Sequence, residues 1–148
     1  MVGRNLVIGS LDAEHVAILV SGRVWPDVSD YWDGNWLHTR IQVRVGRFTA
    51  DLDADLRTDD LQRFAAELRR LDETLSGSAV LGTLEHWIEL TVTCEPSGRL
   101  TVTGEVLDDP AGGNQLIFEL RQFDQTYLAG WLGQLEEFDR AFPTVGRS

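Results

Sequence analysis

Closely spaced aspartates are the first feature of this sequence that could do chemistry: Asp51, Asp53, Asp55, Asp59 and Asp60. Carboxylates at alternate residues open the common calcium-binding loop, because Ca²⁺ prefers oxygen ligands. The rest of that loop is missing, since Leu56 stands where glycine is required and Gln62 replaces the closing glutamate. The same spacing fits the solvent face of a β-strand. The sequence therefore predicts no metal site here.

Other residue types that support catalysis are dispersed along the chain. The histidines are far apart, at His15, His38 and His86. No serine lies in a Gly-x-Ser-x-Gly segment, and Cys94 falls on the apolar side of a strand pattern. We therefore expect no catalytic residues, no cofactor and no enzyme activity. The alternative of an enzyme stays open through a site assembled from distant residues such as His86, Glu89 and Glu119.

An aromatic segment, Tyr31-Trp32-Asp33-Gly34-Asn35-Trp36, is the most unusual local sequence. Asp-Gly between two apolar runs is typical of a two-residue hairpin turn, because both turn positions favour positive φ. The flanking aromatic rings could pair across the strands and cover the core. Alternatively, Trp32 or Trp36 could be exposed as an anchor for a binding partner. The sequence alone does not distinguish these roles.

Period-two alternation predicts the elements that would position these residues. Predicted strands cover residues 6–8, 16–25 and 36–45, with a further strand after Gly46 that carries Asp51, Asp53 and Asp55 on its solvent face. Later strands are predicted at 79–84, 86–94, 100–107 and 116–121. Short turns join most of them. This arrangement of about seven to eight strands favours an antiparallel sheet with helices on one face.

Two segments change to helical periodicity. One apolar stripe contains Leu61, Phe64, Ala65, Leu68, Leu71 and Leu75. Thr58 is the predicted N-cap of this helix, and Gly77 is its predicted end. A second amphipathic helix is predicted at 125–140, with Asp124 as its cap. The expected fold class is α+β, with one mid-chain and one C-terminal helix, and residues 1–148 are expected to form a single domain.

The charge limits the possible partners. The chain has 148 residues and a net charge of −11, and all 13 basic residues are arginines scattered through the sequence. Such a molecule would repel nucleic acid, whereas it would attract a basic protein over long range. The sequence has one cysteine and no signal-peptide pattern, which favours a cytoplasmic location. It has no apolar run long enough to span a membrane, so we expect no membrane association.

Two short motifs resemble the WapI-like immunity proteins and their bacterial relatives. One is the segment 30–37, which contains the aromatic residues, and the other is Asp124-Gln125-Thr126-Tyr127-Leu128. The elements between them are also similar, so the resemblance extends from about residue 16 to residue 132. Arg121-Gln122-Phe123 departs from the family pattern, where a shorter run into Thr-Asp is usual. The resemblance implies a protein that binds and neutralises the toxic domain of a contact-dependent toxin, often a nuclease, and it implies no catalytic residues.

The leading hypothesis is therefore an immunity-type binding protein whose partner is a basic toxin domain. The expected partner-binding residues are Asp51, Asp53, Asp55, Asp59, Asp60, Trp32 and Trp36, chosen for charge and aromatic character. The alternative is a small-ligand-binding protein with a pocket between sheet and helices, lined by some of the five tryptophans.

Overall fold

The alternating segments form two antiparallel sheets. The computed structural model describes residues 4–147, and within them eight strands form two sheets of four. In spatial order, the first sheet contains β1 (Arg4–Gly9), β2 (His15–Arg23), β3 (Trp36–Val45) and β4 (Phe48–Arg57). The second contains β5 (Gly77–Gly82), β6 (Ile88–Cys94), β7 (Arg99–Leu107) and β8 (Gln115–Asp124).

Helices connect and cover these sheets. A single helical turn, α1 (Tyr31–Gly34), precedes β3, α2 (Thr58–Thr74) joins the two sheets, and α3 (Leu128–Ala141) follows β8. Leu61, Phe64, Leu68 and Leu71 of the predicted stripe are buried, whereas Ala65 is partly buried and Leu75 follows the helix and is exposed. α2 packs against β5 and α3, while α3 packs against β1. The predicted α+β class, with antiparallel strands and one mid-chain and one C-terminal amphipathic helix, is confirmed.

One cluster of buried apolar side chains contains residues of both sheets and of the two long helices. Each buried leucine or phenylalanine contributes about 1.5–3 kcal/mol relative to an exposed one, so this cluster holds the helices on the sheets. Cys94 lies in the cluster, and its burial raises the pKa of its thiol. The outer faces of β3 and β4, where Arg40 and Asp53 are exposed, remain accessible to solvent.

The eight strands are divided between two sheets, whereas the alternation indicated an antiparallel sheet without specifying the strand order. The backbone of β4 pairs with β3, that of β5 pairs with β6, and α2 lies in the chain between β4 and β5. Because α2 packs on β5, the apolar stripe of the helix is buried against the second sheet. The amphipathic helix therefore separates the two sheets.

The predicted Asp33-Gly34 hairpin turn is wrong. The carboxylate of Asp30 accepts hydrogen bonds from the backbone N–H groups of Trp32 at 2.9 Å and Asp33 at 3.1 Å. The N–H of Gly34 donates to the carbonyl of Asp30 at 2.8 Å. These bonds are those of a capped helical turn, and Asp30 is its N-cap. The local preference for a type I′ turn is therefore outweighed by capping.

The predicted ends of α2 are shifted. Its N-cap is Arg57 and Thr58 is its first residue, while Asp60 accepts a hydrogen bond from the N–H of Arg57 at 2.9 Å. At the other end Leu75 adopts φ of 53° and terminates the helix, so Gly77 begins β5 and does not end α2. The side chain of Asp60 thus caps the helix, a role that the sequence pattern had assigned to Thr58.

Candidate functional site

Arg57 organises the aromatic segment. It is the last residue of β4 and its side chain is only 3% exposed. The guanidinium donates hydrogen bonds to the carbonyls of Trp32 at 2.6 Å and Tyr31 at 2.9 Å. It also lies 5.2–5.5 Å from the ring centroids of Tyr31, Trp32 and Trp36. The three aromatic rings are therefore arranged around one buried cation, a favourable cation–π geometry.

The middle of the aromatic segment is hydrogen-bonded to the C-terminal part of the chain. Asn35 is fully buried, and its amide donates to the carbonyls of Tyr31 at 2.8 Å and Val145 at 2.9 Å. Its side-chain oxygen accepts from the N–H of Val145 at 2.8 Å. At Gly34, a Cβ atom would lie 2.5 Å from the carbonyl oxygen of Val28. Close packing therefore explains the glycine at position 34, and buried hydrogen bonds explain the asparagine at position 35.

The second motif also supports the fold. The carboxylate of Asp124 accepts from the N–H of Thr126 at 2.8 Å and caps the 3₁₀ turn Gln125–Tyr127 that leads into α3. The ring of Phe123 packs edge-on against Tyr127 at 5.0 Å and Trp131 at 5.1 Å between centroids. Both motifs therefore fix the geometry of chain junctions.

The three strand aspartates lie together on one surface. Asp51, Asp53 and Asp55 point outwards from β4, as the alternation predicts, opposite Gln42, Arg40 and His38 of β3. Arg40 makes two hydrogen bonds to Asp51, at 2.6 and 2.9 Å, and lies 3.7 Å from Asp53. These contacts lower the pKa of Asp51 below its ordinary value, mainly through the hydrogen bond. Arg40 therefore offsets part of the negative charge on this face.

Asp59 and Asp60 have different surroundings. Asp60 is 3% exposed, and burial raises the pKa of its carboxyl above the ordinary value for aspartate. Asp59 accepts a hydrogen bond from the hydroxyl of Tyr31 and lies 3.8 Å from the guanidinium of Arg57. The structure thus places Asp60 inside the fold and Asp59 beside the aromatic segment. Of the two candidate tryptophans, Trp32 is 60% exposed and Trp36 is partly buried.

A cleft of about 460 Å³ lies between α1 and the connection from β5 to β6. Here it is named the Trp32 cleft, and the residues that matter most for its chemistry are Tyr31, Trp32, Leu84, His86, Glu89 and Glu105. Trp32 and Leu84 are both exposed, by 60% and 59%. Glu89 and Glu105 are paired across β6 and β7. The cleft therefore combines exposed apolar side chains with two neighbouring carboxylates.

Two other grooves are open to solvent. On the far side of the β5–β6 connection, Glu85 and Trp87 line a groove of about 820 Å³ together with Asp53 and Asp55. Another groove, of about 470 Å³, lies between α2 and α3 with Leu37 of β3 among its lining residues. That second groove lies between helices and sheet, as the alternative ligand pocket was expected to, but none of the described residues that line it is a tryptophan.

A model of the immunity protein WapI-like family matches residues 7–143. The chain belongs to this family. No curated protein matches it. Among solved structures, a chain from the crystal structures of Trypanosoma bruciei MRP1/MRP2 is similar over 95% of this chain and 86% of its own length, with 13% sequence identity and a TM-score of 0.43. That similarity is too low to support an inference about function.

In this WapI-like immunity protein, the two motifs support the fold, so they do not by themselves identify a binding surface. Among the aromatic residues of the first motif, Trp32 is the exposed one, and the glutamates of the cleft beside it come from distant strands. The sequence analysis missed Leu84 and Glu105 and named His86 and Glu89 only as part of a dispersed catalytic site. Of that set, Glu119 is elsewhere, on β8, where it pairs with Arg121 at 2.8 Å.

Two further properties concern the described part of this immunity protein. In residues 4–147, no helix combines the length and apolar character needed to cross a bilayer. Over the same range, no three histidine, cysteine, aspartate or glutamate side chains are grouped so that they could hold a metal ion.

Proposed function

We propose that this chain binds the toxic domain of a cognate contact-dependent toxin and neutralises it by occlusion, without catalysing a reaction. The observation that carries this proposal is the family match over residues 7–143, because immunity is the function that the family name describes. The aromatic segment within the matched range is held by the hydrogen bonds of Arg57 and Asn35, which make it a rigid scaffold. A rigid surface suits inhibition, because little conformational entropy is lost when it binds.

The partner is proposed to be basic, and a nuclease is the toxin class that fits best. A net charge of −11 speeds the encounter with a positively charged protein and imitates the polyanion that a nuclease binds. The proposed docking surface combines the outward aspartates of β4 with Asp59 and the two tryptophans of the aromatic segment. These residues are Asp51, Asp53, Asp55, Asp59, Trp32 and Trp36. Asp60 would contribute indirectly, since it caps α2 beside Arg57.

Co-expression with the toxin domain encoded next to this chain tests the function. Cells that express the toxin domain should grow only when the immunity protein is present, and the two proteins should co-purify. Growth arrest in the presence of well-folded immunity protein, with no complex detected, would refute the proposal. The matching measurement with purified proteins is the dissociation constant at several salt concentrations, because a charge-steered complex weakens as salt rises.

Charge-matched variants test the docking surface. Replacing Asp51, Asp53 and Asp55 by asparagine leaves the fold contacts of Asp59 and Asp60 intact. We expect the association rate constant to fall by about tenfold at low salt. The control has the same net charge but changes exposed acids on the helices: Asp72→Asn, Glu73→Gln and Glu136→Gln. Equal association rates for the two triple variants would remove the surface of β4 from the proposal and leave the function itself standing.

A further inference from the structure

We infer that the Trp32 cleft receives one arginine or lysine side chain of the toxin domain. The aliphatic stem of that side chain would lie between Trp32 and Leu84, and its charge would lie beside Glu89 and Glu105. This inference rests on the proposed function and names the contact that anchors the complex. It also moves the centre of the interface from the aspartates of β4 to the neighbouring cleft.

The two apolar walls of the cleft are exposed, and the tryptophan is held in place. Trp32 is 60% exposed and Leu84 is 59% exposed, although both side chains are large enough to gain from burial. The ring of Trp32 packs edge-on against Tyr31, with centroids 5.0 Å apart, and the guanidinium of Arg57 lies 5.5 Å from its centroid. A tryptophan fixed in this way loses little entropy when a partner covers it, which is typical of binding hot spots.

The carboxylates of the cleft are an unfavourable pair in the free protein. Glu89 and Glu105 are directly opposite each other on β6 and β7, and like charges in this position destabilise a sheet. The next cross-strand pairs on the same face are threonine with threonine, Thr91 with Thr103 and Thr93 with Thr101. The charged pair thus interrupts an otherwise neutral ladder at the one place where the ladder reaches the cleft.

A cation from a partner would offset this repulsion. Among the described residues, neither glutamate forms an ion pair, and Glu105 accepts one hydrogen bond, from the side-chain amide of Gln115 at 2.8 Å. A guanidinium or ammonium group placed between the two carboxylates would interact with both. Local repulsion that persists in a folded protein is commonly found at functional sites.

The arginines of the chain leave this charge unmatched. Arg57 and Arg63 also line the cleft, but Arg57 is 3% exposed and donates to backbone carbonyls of α1. Arg63 lies 3.7 Å from Asp60, whose carboxylate is itself buried. Asp59 is held by Tyr31 and Arg57. The negative charge that remains available in the cleft is therefore that of the two glutamates. A volume of about 460 Å³ can accommodate a long basic side chain.

Binding measurements with the purified toxin domain encoded beside this chain test the inference. The variants are Trp32→Ala, Leu84→Ala and the double variant Glu89→Gln with Glu105→Gln. We expect the dissociation constant to rise by about tenfold or more for Trp32→Ala and for the double variant. Leu84→Ala provides a test that does not disturb the contacts of Arg57, because Leu84 lies outside the cation–π cluster.

Matched controls separate a local effect from a general one. Phe48→Ala removes an apolar side chain that is 66% exposed at the opposite end of the β3–β4 ladder from Trp36. Asp72→Asn with Glu73→Gln changes the net charge by the same amount as the double glutamate variant. Both controls should bind within about twofold of the wild type. Circular dichroism should show the same fold for every variant.

The outcomes distinguish this inference from the proposed function. If the wild type protects cells and every cleft variant binds within about twofold of it, the inference is overturned and the proposed function stands. If the wild type does not bind the toxin domain, both are overturned. Loss of binding in the cleft variants, together with coupling between Glu89→Gln and one Arg→Ala or Lys→Ala substitution in the toxin domain, would identify the inserted side chain.

Discussion

Replacing Arg57 by alanine should destabilise the protein more than any change to an exposed arginine. The substitution removes two hydrogen bonds from a charged donor, to the carbonyls of Trp32 and Tyr31 at 2.6 and 2.9 Å. Each such bond contributes about 1.5–3 kcal/mol, and the cation–π contacts add about 0.5–2 kcal/mol. These terms are not additive, and Asp59 loses its cationic neighbour. We therefore expect the free energy of unfolding to fall by about 3–5 kcal/mol.

Arg57→Lys separates the charge from the shape of the side chain. Lysine keeps the positive charge but lacks the planar fork that reaches both carbonyls and stacks on the rings. Its expected cost is about 2 kcal/mol, intermediate between the wild type and Arg57→Ala. Both losses are large compared with the total stability of about 5–15 kcal/mol that is usual for a domain. Urea unfolding followed by tryptophan fluorescence and by far-ultraviolet circular dichroism measures them.

Arg121→Ala is the control for this series. Arg121 pairs with Glu119 at 2.8 Å, but its side chain is 72% exposed. Exposed ion pairs contribute about 0–1 kcal/mol, so the midpoint of unfolding should hardly change. If Arg57→Ala loses no more stability than Arg121→Ala, then the buried guanidinium does not hold the aromatic segment together. In that case Arg57 does not fix Trp32 in the cleft either.

Two further predictions concern the acidic groups and the glycines. Burial raises the pKa of Asp60, so the stability of the wild type relative to Asp60→Asn should decrease as pH rises from about 4 towards 7. The Arg40 hydrogen bond lowers the pKa of Asp51, so the stability of the wild type relative to Asp51→Asn should instead decrease as pH falls below about 4. Urea midpoints from pH 2.5 to 7 measure both trends, and a trend of the opposite sign for either aspartate would refute the prediction for that residue. Gly34→Ala should lower the free energy of unfolding by about 1–3 kcal/mol, because the new Cβ would lie 2.5 Å from a backbone oxygen. Gly130→Ala has open space around it in α3 and should raise the free energy of unfolding by as much as about 1 kcal/mol. Thermal unfolding of the two variants tests this difference, and equal shifts in Tm would contradict it.

Local patterns predicted much of the fold. The stripe Leu61, Phe64, Leu68 and Leu71 was sufficient to predict α2, because a helix buries residues three and four apart. Alternation placed Asp51, Asp53 and Asp55 on the outer face of β4 for an equally local reason, since successive side chains of a strand point in opposite directions. The two short motifs identified the family, which the match over residues 7–143 confirms.

Errors arose where local preference competed with distant contacts. Asp33-Gly34 favours a hairpin turn, but Asp30 caps a helical turn there and Asn35 is hydrogen-bonded to Val145, 110 residues away in sequence. The division of the strands between two sheets was not predicted, for a similar reason. The sequences of β4 and β5 alone do not show which strands they pair with, because this pairing depends on where α2 packs.

By itself, the sequence determined the acidic character of the protein, its helices, the faces of its strands and its family, because each depends on composition or on residues close together in the chain. Only the tertiary structure decided which acidic residues are accessible. It buries Asp60 under the aromatic segment and brings Glu89 and Glu105 to the same cleft as Trp32. The physical reason is that burial and charge pairing are set by strand pairing and helix packing, which join residues that are far apart in sequence.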